Sequence, residues 1–225
     1  LSSFNSMIAI QTKMRDDLIE AEKLKQQLSL NLLQQQVNPH FLYNTLDNIC
    51  ALAELDEKET LIQLVMNLSS FYRSSLSNGK MHISIGQELE ISRAYLEILQ
   101  IRYFHKFDFT ITCPEALKNY SCIKLLLQPI LENSIYHGIK GLDRHGILHI
   151  EAEDTGDCIR FTISDNGRGF SKEDYEKIWQ QDADHFGIKS IQQRILLYYG
   201  PDYGLSMQSP QTGGCITVIT LPKQE

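Results

Sequence analysis

Residues 7–36 contain neither proline nor glycine, and a stripe of mainly apolar side chains recurs there at alternating steps of three and four. The stripe is Met7, Gln11, Met14, Leu18, Ala21, Lys25, Leu28 and Leu32, a heptad seam with polar breaks at 11 and 25. That period predicts one long helix whose seam is covered either by a copy of itself or by its own domain. A second 3,4 pattern, Leu61, Leu64, Val65, Leu68, Phe71, Tyr72 and Leu76, runs into Ser77-Asn78-Gly79, a helix stop. Two successive helices predict a hairpin, and two hairpins make a four-helix bundle.

A third helix is expected over residues 86–103, with Leu89, Ala94, Leu96 and Leu99 among its apolar positions. The period then changes. Segments 107–112, 147–153, 158–164, 204–209 and 215–221 read as strands, mostly compatible with hairpins, and 122–139 and 187–199 as helices. This order predicts an α+β fold, a helical first part and then one sheet covered by helices, with the boundary between residues 80 and 105.

Composition narrows the function. With 42% hydrophobic and 22% charged residues the chain is an ordinary globular one. Its 21 basic and 28 acidic residues give a net charge of 21 − 28 = −7, which disfavours nucleic acid as a partner. The best apolar run, 123–131, is broken by Lys124 and Pro129, so no bilayer-spanning segment is expected in these residues. The five cysteines form no CxxC pair and read as small core residues in a reducing compartment. The first residue is Leu1 and no signal peptide follows, so the sequence reads as part of a longer protein.

Three stretches carry potential chemistry. In Asn38-Pro39-His40-Phe41-Leu42-Tyr43-Asn44 a proline interrupts a helical pattern, which ordinarily costs about 3 kcal/mol. His40 follows it, and Asn44 lies one turn further on the same face. A neutral imidazole there is either an available nucleophile or a packing histidine at a kink. Asp165-Asn166-Gly167-Arg168-Gly169 follows a strand and is either a hairpin turn or a carboxylate with backbone room for a base, whose amino group it accepts. Glu132-Asn133 places polar groups in an apolar helical pattern, as an amide network or as an oxygen ligand set for a magnesium-bound triphosphate. His145 and His149 fall on an expected strand without a third ligand, and no metal site is expected there.

Jointly these stretches resemble the sensor histidine kinases of the LytS/YesM type. QQVNPHFLYNTLDNI at 35–49 resembles their phosphoacceptor segment, LQPILENSIYHG at 127–138 their N box, DNGRGF at 165–170 their first glycine box and HFGIKSIQQRI at 185–195 their second. Residues 1–8 resemble the end of a HAMP linker. The resemblance implies residues 1–27 as linker and signalling helix, 28–80 as a dimerisation and phosphoacceptor hairpin, and 81–225 as a Bergerat-type α/β sandwich that binds ATP. It implies His40 as the phosphoacceptor, Asn133 as the Mg²⁺ ligand and Asp165 as the adenine anchor. His137, Gly167, Gly169, Gly187 and Lys189 complete the implied ATP site, and Asn44 is given a phosphatase or orienting role. It further implies a homodimer, a cognate response regulator and a bacterial cell-membrane receptor of which this is the cytoplasmic portion. The chain departs from the family pattern at Tyr136, where a lysine is usual, and at His185, Ser190 and Cys215. The alternatives are an ATP hydrolase or clamp of the gyrase and Hsp90 type, which carries a glutamate where this chain has Pro129, and a non-catalytic nucleotide-sensing scaffold.

Overall fold

The computed structural model describes residues 39–75, 81–179 and 186–224, together with Gln11, Lys13 and Arg15, which are helical and exposed. The other positions of the 7–32 seam, the HAMP-like start, the helix stop at 77–79 and His185 lie outside the described residues. The chain divides into two compact units, Leu1–Asn44 and Thr45–Glu225.

Helix α1 spans Pro39–Glu54 and α2 spans Lys58–Ser75. Pro39 is the first described residue of α1. Leu64, Phe71 and Ser75 are the buried residues of α2, and the Phe71 ring lies 5.8 Å from that of Tyr95 on the next helix. That helix, α3, spans Ile85–Arg102 and is the hub of the second unit. Ser84 and Gln87 close a reciprocal capping box at its start, a device worth about 1 kcal/mol. Burial extends around most of this helix, from Ile85 through Leu96 to Ile101, and includes Glu88.

The main sheet has the order β2-β4-β5-β7-β6, with β2 Phe107–Thr112, β4 Gly146–Asp154, β5 Cys158–Asp165, β6 Gly204–Gln208 and β7 Cys215–Pro222. All neighbours are antiparallel except β2 and β4, which run parallel from Phe107↔Gly146 to Thr112↔Glu151. The sheet is therefore mixed, which hairpin-compatible strands did not predict, because the long excursion from residue 113 to 145 lets the chain return in the same direction. Alternation places Leu148, Ile150 and Ala152 of β4 and Ile159, Phe161 and Ile163 of β5 in the core. The same period carries Asp165 to the inner face at the end of β5.

A two-residue-period signal too short to notice produces a second sheet, β1 His82–Ser84 against β3 Ser121–Ile123. The expected single helix over 122–139 is corrected by it. Residues 121–123 are strand, Leu125 turns left-handed at φ 55°, and helix begins only at α4, Gln128–Asn133, continuing as one π turn, Ser134–Ile139. Two further helices follow, α5 Lys172–Trp179, which is additional to the expected elements, and α6 Phe186–Tyr199. Of the cysteines, Cys122 and Cys215 are buried, Cys113 and Cys158 half-buried and Cys50 exposed, so the expectation of five core cysteines holds for two.

Candidate functional site

Between the end of β5, the π turn after α4 and the start of β7 lies a pocket with about 550 Å³ of empty space, open to solvent. Asn133, Ser134, His137, Gly138, Asp165, Arg168, Gly169, Phe170, Asp174 and Cys215 line it. Four of the sequence-predicted residues, Asn133, His137, Asp165 and Gly169, are thus brought together.

Asp165 is 9% exposed at the pocket floor. Its Oδ1 accepts the Gly167 N–H at 2.8 Å and the Cys215 N–H at 3.2 Å. Oδ2 is buried and has no hydrogen bond of ordinary geometry among the described residues. Burial pushes the carboxyl above its usual range, against the opposing pull of the Ser134 hydroxyl and the two backbone amides. A buried acceptor without a donor is costly, and a ligand amino group would supply such a donor.

The glycine spacing follows from crowding around this carboxylate. A Cβ on Gly167 would lie 2.6 Å from Asp165 Oδ1 and 2.7 Å from the Gly138 backbone, so any side chain there displaces the carboxylate. Gly214 takes φ 86°, and a Cβ there would strike the Asp165 carbonyl. The first glycine box is tied to the π turn by Arg168 N–H donating to Gly138 O at 3.1 Å. It is tied to β7 by Ser209, whose Oγ accepts from Phe170 N–H at 3.2 Å and donates to Gly214 O at 2.9 Å. Asn166 extends the β4–β5 pairing instead of facing a ligand, accepting Ile147 N–H at 2.7 Å and donating to His145 O at 3.1 Å.

Asn133 ends α4 and His137 stands in the π turn, an insertion often found where a helix must aim side chains into a site. The Asn133 amide oxygen fits a Mg²⁺ ion that keeps most of its water and reaches the protein through few oxygens. Phe170 forms one wall and stacks on Tyr175 at 5.9 Å, with Trp179 edge-on to Tyr175 at 6.1 Å. These rings pack on Ile188, Met207 and Cys215. Burial raises the Cys215 thiol to about 11, so it is a neutral packing group.

Gly187 and Lys189 lie on α6 and do not line the pocket; a Cβ on Gly187 would sit 3.2 Å from that of Pro129. Tyr136, at the usual lysine position, accepts from Arg102 Nη1 at 2.9 Å and packs edge-on to Tyr103. His40 is exposed on α1, in the first unit, and the Asn44 side-chain amide nitrogen is buried without a hydrogen-bond partner among the described residues. His149 Nδ1 faces Thr110 Oγ1 at 2.6 Å and His145 Nε2 faces Asp108 Oδ2 at 3.0 Å, on the exposed side of the sheet. Among the pocket residues that sequence reasoning missed, Ser134 and Gly138 carry no pattern of their own. Asp174 does: Ser171-x-x-Asp174 is a capping box, with Asp174 N–H donating to Ser171 Oγ at 3.1 Å and Ser171 N–H to Asp174 Oδ2 at 3.2 Å.

Two family profiles match the chain in succession. "Histidine kinase" covers residues 28–107, and "Histidine kinase-, DNA gyrase B-, and HSP90-like ATPase" covers 120–225. The catalytic domain of histidine kinase ThkA superposes with a TM-score of 0.50 at 15% identity, over 64% of this chain and 96% of that one. The second profile and this likeness of fold together give residues 120–225 the fold of a histidine-kinase-type ATPase domain. Sensor histidine kinase YesM of Bacillus subtilis is 31% identical over 97% of the chain and 37% of the relative. LytS of Oceanobacillus iheyensis is 32% identical over 89% and 36%, and BtsS of Escherichia coli K12 is 33% identical over 80% and 31%. The chain belongs to the LytS/YesM-type sensor histidine kinases, and it spans about a third of the length of these relatives.

Proposed function

We propose that this chain is the phosphoryl-transfer part of a two-component sensor, binding ATP around Asp165 and passing its γ-phosphoryl group to His40. The observation that carries the reading is the buried Oδ2 of Asp165, without a hydrogen bond of ordinary geometry among the described residues, on the floor of a glycine-walled pocket. Adenine offers the amino donor that this oxygen lacks, and Asn133 and His137 lie along the same pocket for the phosphates and Mg²⁺. In the transfer an imidazole nitrogen of His40 attacks the γ-phosphorus, a P–N bond forms, and the bond to the β–γ bridging oxygen breaks to release ADP. This needs positioning and charge neutralisation more than covalent assistance. The phosphoryl group then passes to an aspartate of a response regulator; among the structural neighbours, ThkA is described in complex with the response regulator TrrA. Pro129 at the position of the hydrolases' glutamate disfavours the clamp alternative.

The domain division is 1–27, 28–80 and 81–225, with a homodimer formed through the first two segments. Ile62, Val65 and Met66 of α2 are exposed apolar residues that suit such an interface. No described helix is long and apolar enough to cross a membrane. Incubation with γ-labelled ATP tests the reading. Wild type should acquire label lost in acid and kept in alkali, His40→Gln should bind ATP without acquiring it, and acid-stable label would refute the assignment. Asn44→Ala should keep the label and slow dephosphorylation of the regulator; loss of label would give Asn44 the forward reaction instead.

A further inference from the structure

The loop between β3 and α4 is held by two charged side chains, one buried and one half-buried, to which the nucleotide reading gives no task. Glu88, in the first turn of α3, is 0% exposed. Its Oε2 accepts the Leu125 N–H at 2.8 Å and its Oε1 the Leu127 N–H at 2.9 Å. Arg194, on α6, donates from Nη1 to Leu125 O at 3.2 Å and from Nη2 to Lys124 O. One helix thus grips the amides of the loop and another grips its carbonyls.

The left-handed Leu125, at φ 55°, explains why a carboxylate is required. L side chains rarely adopt that conformation, but it turns neighbouring amides toward one side and makes a small anion nest, which Glu88 fills. A residue that merely filled space here would be apolar, since a buried carboxylate is tolerated only where hydrogen bonds replace its water. Leu127 is the residue before α4, so the clamp decides where that helix begins. Asn133 is its last residue, about 9 Å of helix further on. Helix α6 meets the same region twice more: Gly187 abuts Pro129, and the Tyr199 hydroxyl accepts the Ile123 N–H at 2.9 Å. Contacts at both ends of α6 fix the direction of α4 as well as its start.

We propose that Glu88 and Arg194 are positioning residues for the phosphate end of the nucleotide, setting where Asn133 stands relative to Asp165. The proposal rests on the nucleotide reading above. Asp165 hangs from β5 and is touched by neither residue, so the adenine end of the site is independent of the clamp. Binding should therefore split according to which end of the ligand is anchored.

Calorimetry on the 225-residue chain with ADP in chelator, and with ATP plus Mg²⁺, reads the split. In Glu88→Gln the amide presents a donor to a backbone donor, and Mg²⁺–ATP affinity should fall about tenfold while Mg²⁺-free ADP affinity stays within about twofold. Arg194→Lys, which keeps the charge but loses the two-pronged grip, should show the same split to a smaller extent, and it decides the matter alone if Glu88→Gln does not fold. Unchanged affinity for both ligands, or parallel loss of both, overturns the clamp while wild-type binding keeps the nucleotide reading standing. A wild type that binds neither ligand overturns both.

Discussion

His40 stands exposed near the start of a helix that also presents Tyr43 and Leu46 to solvent, whereas Asp165 ends a strand whose other inward residues are Ile159, Phe161 and Ile163. Around His40 the described residues supply no hydrogen bond; Asp165 accepts backbone N–H groups from two segments, at Gly167 and Cys215. On the proposed reading His40 is a nucleophile that has to be reached by a phosphoryl donor and then by an acceptor, and exposure serves both encounters. An anchor for a base has to discriminate by fixed geometry in a desolvated place. The two kinds of residue should accordingly respond in opposite ways to substitution, one through chemistry alone and the other through fold and binding together.

The largest effect that would sharpen this contrast is Asp165→Asn. It should reduce ATP affinity by about a hundredfold or more, because the amide can place a donor against the adenine donor. Near-native affinity by calorimetry would move the adenine site elsewhere. Gly167→Ala comes next. The added methyl meets Asp165 Oδ1 and the Gly138 backbone well inside contact distance, and it should lower unfolding stability by about 1–3 kcal/mol in a denaturant titration. His40→Gln in the same titration should stay within about 0.5 kcal/mol of wild type, and a larger loss would break the comparison by giving His40 a structural task.

The smallest effect is a pH dependence. Burial raises the Asp165 carboxyl in the folded chain above its ordinary value. Its stabilising contribution is therefore complete below the unfolded value and lost as pH rises through the folded one. Asn at this position does not titrate, so the stability of wild type relative to Asp165→Asn should decline as pH rises through that window. A gap that is flat or widens with pH would contradict the desolvation of this carboxylate.

Sequence pattern found the regular parts because their burial is locally encoded. The alternation in β4 and β5, the helix 186–199 and the DNGRGF turn each state their own geometry in neighbouring residues. It also named the glycine-box residues that pack under the pocket. It failed at 122–127, where Leu125-Leu126-Leu127 reads as helix but Glu88, some 40 positions earlier, and Arg194, some 70 later, claim the backbone. The parallel β2–β4 pair was invisible for the same reason, since strand direction is set by the route of the intervening chain. Helix 172–179 was legible and overlooked, because Ser171 and Asp174 announce its start. Gly187 and Lys189 came from motif likeness, which locates a segment in order along the chain without saying which of its side chains reaches the cavity.

The row Phe170, Tyr175, Trp179 has an optical consequence. The chain contains a single tryptophan, so all of its indole emission arises from one place, and that place is two ring contacts from the pocket wall. Tyr175 lies close enough to pass excitation to the indole, and Phe170 couples it mechanically to whatever occupies the cavity. The unmodified polypeptide therefore carries its own fluorophore at the nucleotide pocket, and occupancy can be followed in solution without attaching a dye.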